Sequence, residues 1–413
     1  MSGPPRPAGP PGDRPTEHLS GHPDEHRGKR PDKHPAEHLS GHPAKQPDER
    51  PAEHPGRRPT ERPAVLPRPP RRRVVLGACA VLGGLLVVGL AASVLLGSVA
   101  VPADTVARVL MRHLTGQGEP TWSVSQDTVV WNLRLPRALL AGLVGAGLAV
   151  SGAATQALVR NPLADPYVLG LTYGAAVGAV AVTVTGVAPL GGASAGVAAF
   201  LGALGAFTVV YALARTGGAL APLRLVLSGM AVTYALSGVT SFLVLRADDP
   251  GTTHSVLFWL FGSLAEANWA SLGLPAVVLA ATMAALLAQA RPLNALLLGD
   301  ETAAGLGVPA ARLRRHLFLL VALLTGVMVA LAGGVGFIGL IVPHAARLLV
   351  GSDHRRLLPV AALAGAAFLV LVDIAARTAL HPQELPVGVV TSVIGAPLFL
   401  WLVHTRARET TGL

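Results

Sequence analysis

Apolar runs of about 20 residues recur along this chain from residue 71 to near its carboxyl end. A helix of that length crosses the roughly 30 Å hydrocarbon core of a bilayer. Charges, prolines and glycines fall in short stretches between the runs, so each run predicts one membrane-spanning helix. We predict ten spans, at about 74–97, 138–158, 168–188, 193–214, 224–246, 271–290, 313–333, 338–350, 357–377 and 386–404.

Small residues recur at helical spacing within the predicted spans, as in Gly145, Ala149 and Ala153. Such faces let helix backbones approach closely, and packing drives helix association where lipid offers no hydrophobic incentive. The expected fold class is therefore all-α: a polytopic integral membrane protein, with about ten transmembrane helices in a bundle rich in small residues.

Composition excludes several kinds of chemistry. Only 14% of the residues are charged, whereas soluble proteins carry about 25%. The three lysines, Lys29, Lys33 and Lys45, all lie near the amino terminus, so a phosphate-binding loop that needs a lysine is absent. The single cysteine, Cys79, rules out an internal disulfide and a multi-cysteine metal site. We expect no catalytic residue, no cofactor and no metal ligand, and hence not an enzyme.

Residues 1–70 differ sharply from the rest of the chain. They hold 18 of the 34 prolines, seven of the 14 histidines and 12 of the 33 basic residues, and the string EHLSGHP occurs at 17–23 and again at 37–43. Such a polar, repetitive segment cannot bury enough apolar surface to fold. We therefore predict a disordered cytoplasmic tail at 1–70, a transmembrane domain at 71–405 and a short cytoplasmic tail at 406–413. The basic residues are divided between this polar segment and the ends and loops of apolar spans, so the net charge of +10 does not predict a nucleic-acid partner.

The remaining arginines predict the orientation in the membrane. If the amino terminus is inside, fifteen arginines lie at cytoplasmic ends and loops, and six lie outside. By the positive-inside rule this favours two cytoplasmic termini, and an even number of spans agrees. We expect a multi-pass protein of the inner cell membrane, surrounded by lipid.

Four stretches of sequence carry a resemblance. They are RLPRALLAGLVGAGLAVSGAATQALVRNPLADPYVLG from residue 134, FWLFGSL from 258, LGDETAAGLGVP from 298, and GGVGFIGLIVPHAARLL from 333, followed by ELPVGVVTSVIGAPLFLWLV from 384. Together, and in this order, they resemble the FecCD family, the membrane-spanning permeases of type II ABC importers for iron-siderophores and cobalamin. The tail and the first span fall outside the resemblance.

The resemblance implies an importer that takes up an iron-siderophore or a related chelate such as haem or cobalamin. It implies four kinds of partner: a second permease subunit, identical or not, cytoplasmic ATPase subunits that hydrolyse ATP, an extracellular substrate-binding protein, and membrane lipid. It makes Glu301, Ala303 and Gly305 candidates for the loop that receives force from the ATPase. The alternative for this loop is an ordinary interfacial helix.

The resemblance also makes Arg134, Arg137 and Arg377 candidates for docking the binding protein, because a guanidinium can hold a carboxylate in a bidentate grip. The alternative is that the first two contact lipid head groups and that Arg377 serves only Asp373, four residues earlier, with which it shares a helix face. We interpret Glu384, just before a proline, as a structural residue at a helix amino terminus.

Two rival functions remain. An ion-coupled secondary transporter usually places acidic residues near the bilayer midplane, and here Asp373 alone lies well inside a span. An intramembrane enzyme would need a nucleophile or metal cluster in the spans, and no H-E-x-x-H string occurs. Neither the chelate nor the identity of the second permease follows from the sequence.

Overall fold

A computed structural model describes residues 72–97, 99–119, 121–186, 195–216, 219–247, 249–380 and 383–411. The tail predicted at residues 1–70 lies outside the described residues. Fifteen α-helices occur in the described part: α1 Arg72–Leu95, α2 Ala103–Thr115, α3 Val124–Asp127, α4 Leu135–Val159, α5 Leu171–Thr185, α6 Ala195–Ala214, α7 Pro222–Val244, α8 Pro250–Leu260, α9 Gly273–Ala288, α10 Ala290–Leu297, α11 Asp300–Gly305, α12 Ala310–Ala332, α13 Ile338–Val350, α14 His354–Thr378 and α15 Val387–Thr411.

The helices confirm the predicted fold class, and each of the ten predicted spans overlaps one of them. Among the described residues, seven helices are long and apolar enough to cross a membrane, and α5, α13 and the apolar part of α15 are shorter. The count of ten crossings is therefore approximate. A small antiparallel pair of strands, β1 Arg215–Thr216 and β2 Ala219–Leu220, lies between α6 and α7.

The bundle is built around α4, whose small residues are almost entirely buried. Gly145 of α4 meets Gly365 of α14 so closely that an added Cβ would lie 2.2 Å from the Gly365 carbonyl oxygen. Gly152 meets Gly339 of α13 in the same way. The small-residue face that the sequence indicates is thus the face along which backbones touch, as expected where packing is the driving force.

Apart from the very short helices α3 and α11, three helices have no predicted span of their own: α2, α8 and α10. In α2, an acidic Asp104 in the first turn and basic Arg112 and His113 in the last turn complement the helix dipole, and Gly116 ends the helix with a positive φ. At 13, 11 and 8 residues, these helices are too short to be spans, so a search for 20-residue apolar runs passes over them.

A wide turn of helix precedes α4. Residues Thr128–Arg134 form a π-helix, and the Leu135 amide donates to the Val130 carbonyl, five residues back. Single π turns occur often at functional sites. This one ends at Arg134, and Arg137 follows one turn later, so it sets the place of both arginines at the amino-terminal end of α4.

Candidate functional site

A cavity of about 840 Å³ lies between α5, α7, the end of α8 and the start of α15. Among the described residues, its polar side chains are hydroxyls and one indole, and no charged side chain contributes. The lining residues include Tyr167, Thr172, Tyr173, Ser237, Thr240, Ser241, Trp259, Phe261, Gly334 and Ser392. The volume lies in the upper part of the range of small-molecule sites.

Four glycines meet beside the cavity, Gly262, Gly333, Gly334 and Gly388, which we call the glycine hub; of these, Gly334 and Gly388 line the cavity. An added Cβ would lie 2.1 Å from the Trp259 carbonyl oxygen at Gly333, and 2.1 Å from the Phe261 carbonyl oxygen at Gly388. The nearest atoms belong to the backbone, which cannot move aside as a flexible side chain would. Only glycine therefore fits at these two positions.

Backbone hydrogen bonds join the three segments that meet at the glycine hub. The Ser263 amide donates to the Ala332 carbonyl at 3.0 Å, and the Val387 amide donates to the Gly262 carbonyl at 2.9 Å. The ends of α8 and α12 and the beginning of α15 are therefore fastened together. These are the FWLFGSL, GGVGF and ELPVG stretches, which the sequence identifies separately without predicting that they touch.

At the amino-terminal end of α4 lies a group that we call the arginine cluster: Arg134, Arg137, Asp373, Arg377 and Glu384. Arg137 is its centre. The Arg137 Nε lies 2.9 Å from Asp373 Oδ1, and Arg137 Nη1 lies 2.8 Å from Glu384 Oε2. The Asp373 side chain is completely buried, whereas that of Glu384 is 31% exposed.

The other two arginines of the cluster donate hydrogen bonds mainly to backbone oxygens. Arg134 donates to the carbonyls of Val94, Leu95 and Val99. Arg377 lies 3.0 Å from Asp373 and donates to Leu96 and to both oxygens of Ser93. Both arginines are buried.

The arginine cluster therefore holds the end of α1 against α4 and α14. Arg377 binds oxygens of Ser93 and Leu96 in addition to Asp373. Glu384 does more than precede a helix, because it pairs with Arg137, 247 positions away. A recess of about 330 Å³ opens beside the cluster and is lined by all three arginines and Glu384, with Gly97, Val99, Val129, Leu133 and Ala265.

At the opposite end of α4, the short helix α11 carries the predicted coupling residues. Glu301 and Gly305 are exposed, whereas Ala303 is completely buried and packs α11 onto the protein. No atom lies within 4 Å of the place where a Cβ on Gly305 would stand. Glycines with positive φ flank the helix, Gly299 at 109° and Gly307 at 77°.

Asp300, the first residue of α11, is held by an arginine that sequence reasoning did not single out. Arg314 Nη1 and Nη2 donate to the two carboxylate oxygens of Asp300, each at 2.6 Å. Arg160 lies 3.7 Å from the same carboxylate. The hydrogen bond from Arg314 lowers the pKa of Asp300 below its ordinary 3.8. Arg314 is buried, whereas Arg312 and Arg315 on the same turn are exposed, a difference that three arginines within four residues do not reveal.

Within the described residues, no group of three or more His, Cys, Asp or Glu side chains could hold a metal ion. His344 is buried within α13.

A bundle of apolar helices with a cavity between them and charged clusters at two ends of the bundle is the architecture of a membrane permease. The model of the FecCD transport family matches residues 85–405, and this chain belongs to that family. It is a membrane-spanning transport permease of the ABC importer class.

Related proteins support this assignment over most of the chain. The cobalamin import system permease protein BtuC of Halobacterium salinarum is 47% identical over 289 residues, which is 68% of this chain and 74% of the relative. The hemin transport system permease protein HmuU of Yersinia pestis is 44% identical over 299 residues, 70% of this chain and 89% of the relative.

A solved structure described as an ABC transporter of the metal-chelate type, in an inward-facing conformation, is also similar. It has a TM-score of 0.67 and 33% identity, and the match covers 80% of this chain and 99% of that one. These relatives support the importer over the ion-coupled secondary transporter.

Proposed function

We propose that the chain carries a bulky chelate, of the cobalamin, haem or iron-siderophore class, through the cavity between α5, α7, α8 and α15. The observation that carries this proposal is the cavity itself, about 840 Å³ in volume and lined, within the described part of the chain, by uncharged residues. A pathway must bind its cargo strongly enough to admit it and weakly enough to release it. A lining of hydroxyls and apolar groups suits a large cargo that has to leave again.

The relatives narrow the class of cargo. Their names state import of cobalamin and transport of hemin, both large metal chelates. The proposal extends that chemistry to this chain and leaves the choice between them to experiment.

We propose further that the chain works in the cell membrane as one of two permease subunits, with separate ATPase subunits and a binding protein outside. The arginine count predicts cytoplasmic termini. Labelling single cysteines from outside, in a Cys79→Ala background, tests this: a probe at Gln126 should react and one at Glu301 should not. The opposite pattern would reverse the orientation and with it the assignment of both ends.

The binding protein is proposed to dock at the arginine cluster. The recess lined by Arg134, Arg137, Arg377 and Glu384 supports this, since it is concave, lies at one end of the bundle and has three cations to two carboxylates. Of the three arginines, Arg137 has the largest exposed fraction of side chain, 11%, and its partner Glu384 is the exposed one. An acidic side chain of the binding protein would therefore approach Arg137.

Docking is tested by measuring the affinity of the binding protein for the reconstituted importer. Replacing Arg137 by glutamine should weaken it by about 2 kcal/mol or more, the typical cost of removing one member of a buried interfacial charge pair. Arg108→Gln is the control, because Arg108 lies on α2 near the same end but pairs with Asp104 at the surface. Equal affinities for the two variants would reject the docking site.

The ATPase is proposed to engage α11, with Glu301 and Gly305 in contact and Ala303 as a packing residue. Gly305→Trp places the bulkiest side chain on the exposed face, where the space is open. The variant should insert normally and fail to bind the ATPase subunit. Normal binding and normal ATP-dependent uptake would place the docking loop elsewhere.

Transport itself is measured in parallel with labelled cyanocobalamin, haemin and a ferric siderophore, in proteoliposomes that contain the permease, its ATPase and its binding protein. We expect uptake of one of them that requires ATP and persists when ion gradients are collapsed. Uptake driven by an ion gradient without ATP would favour the ion-coupled alternative.

A further inference from the structure

Helix α12 lies between two parts of the protein whose movements transport must couple, namely α11 and the wall of the cavity. Helix α12 has 23 residues and is therefore about 35 Å long, at 1.5 Å per residue. Near its beginning, Arg314 grips Asp300 of α11. At its end, the glycine hub joins it to the wall of the cavity.

The covalent connection between α11 and α12 is short but soft. Leu306–Pro309 form the link, and Gly307 within it has a positive φ of 77°, a conformation that glycine adopts at little cost. A push on α11 alone could bend the backbone there. The Arg314 guanidinium connects the two helices independently of this link, because its two hydrogen bonds to Asp300 join the first residue of α11 to the second turn of α12.

The bidentate pair between Arg314 and Asp300 is suited to a stiff connection. A bidentate guanidinium–carboxylate pair fixes orientation as well as distance. The Arg314 side chain is only 5% exposed, so its position is set by the packing around it, while Asp300 remains 46% exposed and follows α11.

The far end of α12 is equally firm. Trp259 and Leu260, which line the cavity, have carbonyl oxygens 2.1 and 2.3 Å from where side chains on Gly333 and Gly334 would begin. The Ala332 carbonyl accepts a hydrogen bond from Ser263. With these close contacts, α12 cannot shift along its axis without displacing the segment that forms the cavity wall.

We infer that Arg314 is a positioning residue that fastens α11 to α12, so that a displacement of α11 by the ATPase moves the cavity wall instead of bending the link at Gly307. This rests on the proposed coupling role of α11. Arg312 and Arg315, exposed on the same turn, do not share the role.

The test reads the cavity directly and needs no knowledge of the cargo. The full importer, with Ser392→Cys in a Cys79→Ala background, carries one permease cysteine at the cavity. Its rate of reaction with a water-soluble maleimide is measured with and without a non-hydrolysable ATP analogue, and ATPase binding is measured beside it. In the parent protein we expect the nucleotide to change the rate by about fivefold or more, the usual size of coupling between sites.

In Arg314→Gln the nucleotide should no longer change the labelling rate, although the ATPase still binds and hydrolyses ATP. Arg315→Gln, the matched control, should respond like the parent. Asp300→Asn should lose the response as Arg314→Gln does, and the double variant should lose no more than either single variant, since the two residues act as one unit. Asp300 is half-exposed, so this variant decides the matter even if Arg314→Gln folds poorly.

The possible failures are distinguishable. A full nucleotide response in Arg314→Gln and Asp300→Asn, together with loss of ATPase binding in Gly305→Trp, would overturn the role of Arg314 and leave the proposed function standing. Normal ATPase binding in Gly305→Trp would overturn the coupling role of α11, and this inference with it. Equal loss of response in Arg315→Gln would show a general effect of charge and would also overturn the inference.

Discussion

The two ends of α4 use the same chemistry in different ways. Each end has arginines gripping a carboxylate at about hydrogen-bond distance. At the amino-terminal end Asp373 is completely buried and shared by two arginines, whereas at the other end Asp300 is nearly half exposed and gripped mainly by Arg314.

Burial decides what such a pair can do. Removing one partner from a buried pair leaves an uncompensated charge out of water, which is strongly destabilising, while exposed pairs contribute little to stability. The arginine cluster therefore holds the helices together, and the Asp300–Arg314 pair can transmit position at small cost to stability. The variants below measure this difference, beginning with the largest expected effect.

The largest effect is expected at Asp373. Asp373→Ala leaves Arg137 and Arg377 facing each other in a buried site, and removing one partner of such a group costs about 3–5 kcal/mol. Thermal unfolding of the purified protein should show a large loss of stability. Glu384→Ala, which removes the exposed carboxylate of the same cluster, should cost clearly less, and equal losses would contradict the difference in burial.

A smaller but still substantial effect is expected at the glycine hub. Gly388→Ala places a methyl group 2.1 and 2.3 Å from two backbone oxygens, those of Phe261 and Gly334, and overpacking of this kind costs about 1–3 kcal/mol. Gly336→Ala is the matched control, because no atom lies within 4 Å of its new Cβ. The same thermal measurement compares them, and an unchanged stability in Gly388→Ala would mean that the three segments separate readily.

The smallest effect is expected at Asp300. Because the Asp300 side chain is 46% exposed and asparagine keeps an oxygen that accepts from the buried Arg314, Asp300→Asn should cost clearly less in stability at pH 7 than Asp373→Ala. A loss of stability as large as that of Asp373→Ala would show that the pairs at the two ends of α4 do not differ in their contribution to stability.

The pH dependence of that small effect has a definite sign. Arg314 lowers the pKa of Asp300 from its ordinary 3.8, so the stabilisation is fully present above that value and is lost as the pH falls through the lower, folded pKa. The difference between the parent and Asp300→Asn should thus stay constant from about pH 7 to about pH 5 and shrink only below about pH 4. A difference that disappears already near pH 6 would point to a histidine instead.

Much of the fold could be predicted because it depends on local sequence. An apolar run of sufficient length is a helix wherever it lies in a bilayer, since only a helix satisfies its own backbone, and all ten predicted spans overlap helices. The short helices α2, α8 and α10 were not predicted because they are shorter than the 20-residue apolar runs on which the prediction depends. The predicted helix at Glu301 is present, but its buried Ala303 and exposed Gly305 differ in a way that spacing did not reveal.

The sequence identified the residues of the candidate site but not the contacts that they make. The sequence treated Arg134, Arg137 and Arg377 as three equal docking residues, whereas in the structure one is the centre of a carboxylate pair and two bind backbone oxygens. Docking by these residues stays a prediction, and so does coupling by α11.

The sequence by itself determined the class of protein, the apolar spans and the family, because these depend on composition, period and motifs that are read within a short stretch of chain. Only the tertiary structure decided that Arg137 meets Asp373 across 236 positions, that Arg314 and not Arg315 holds α11, and that three separate glycine-containing segments form one wall. The physical reason is that burial and charge pairing depend on distances in space, which helix packing sets and the order of residues does not.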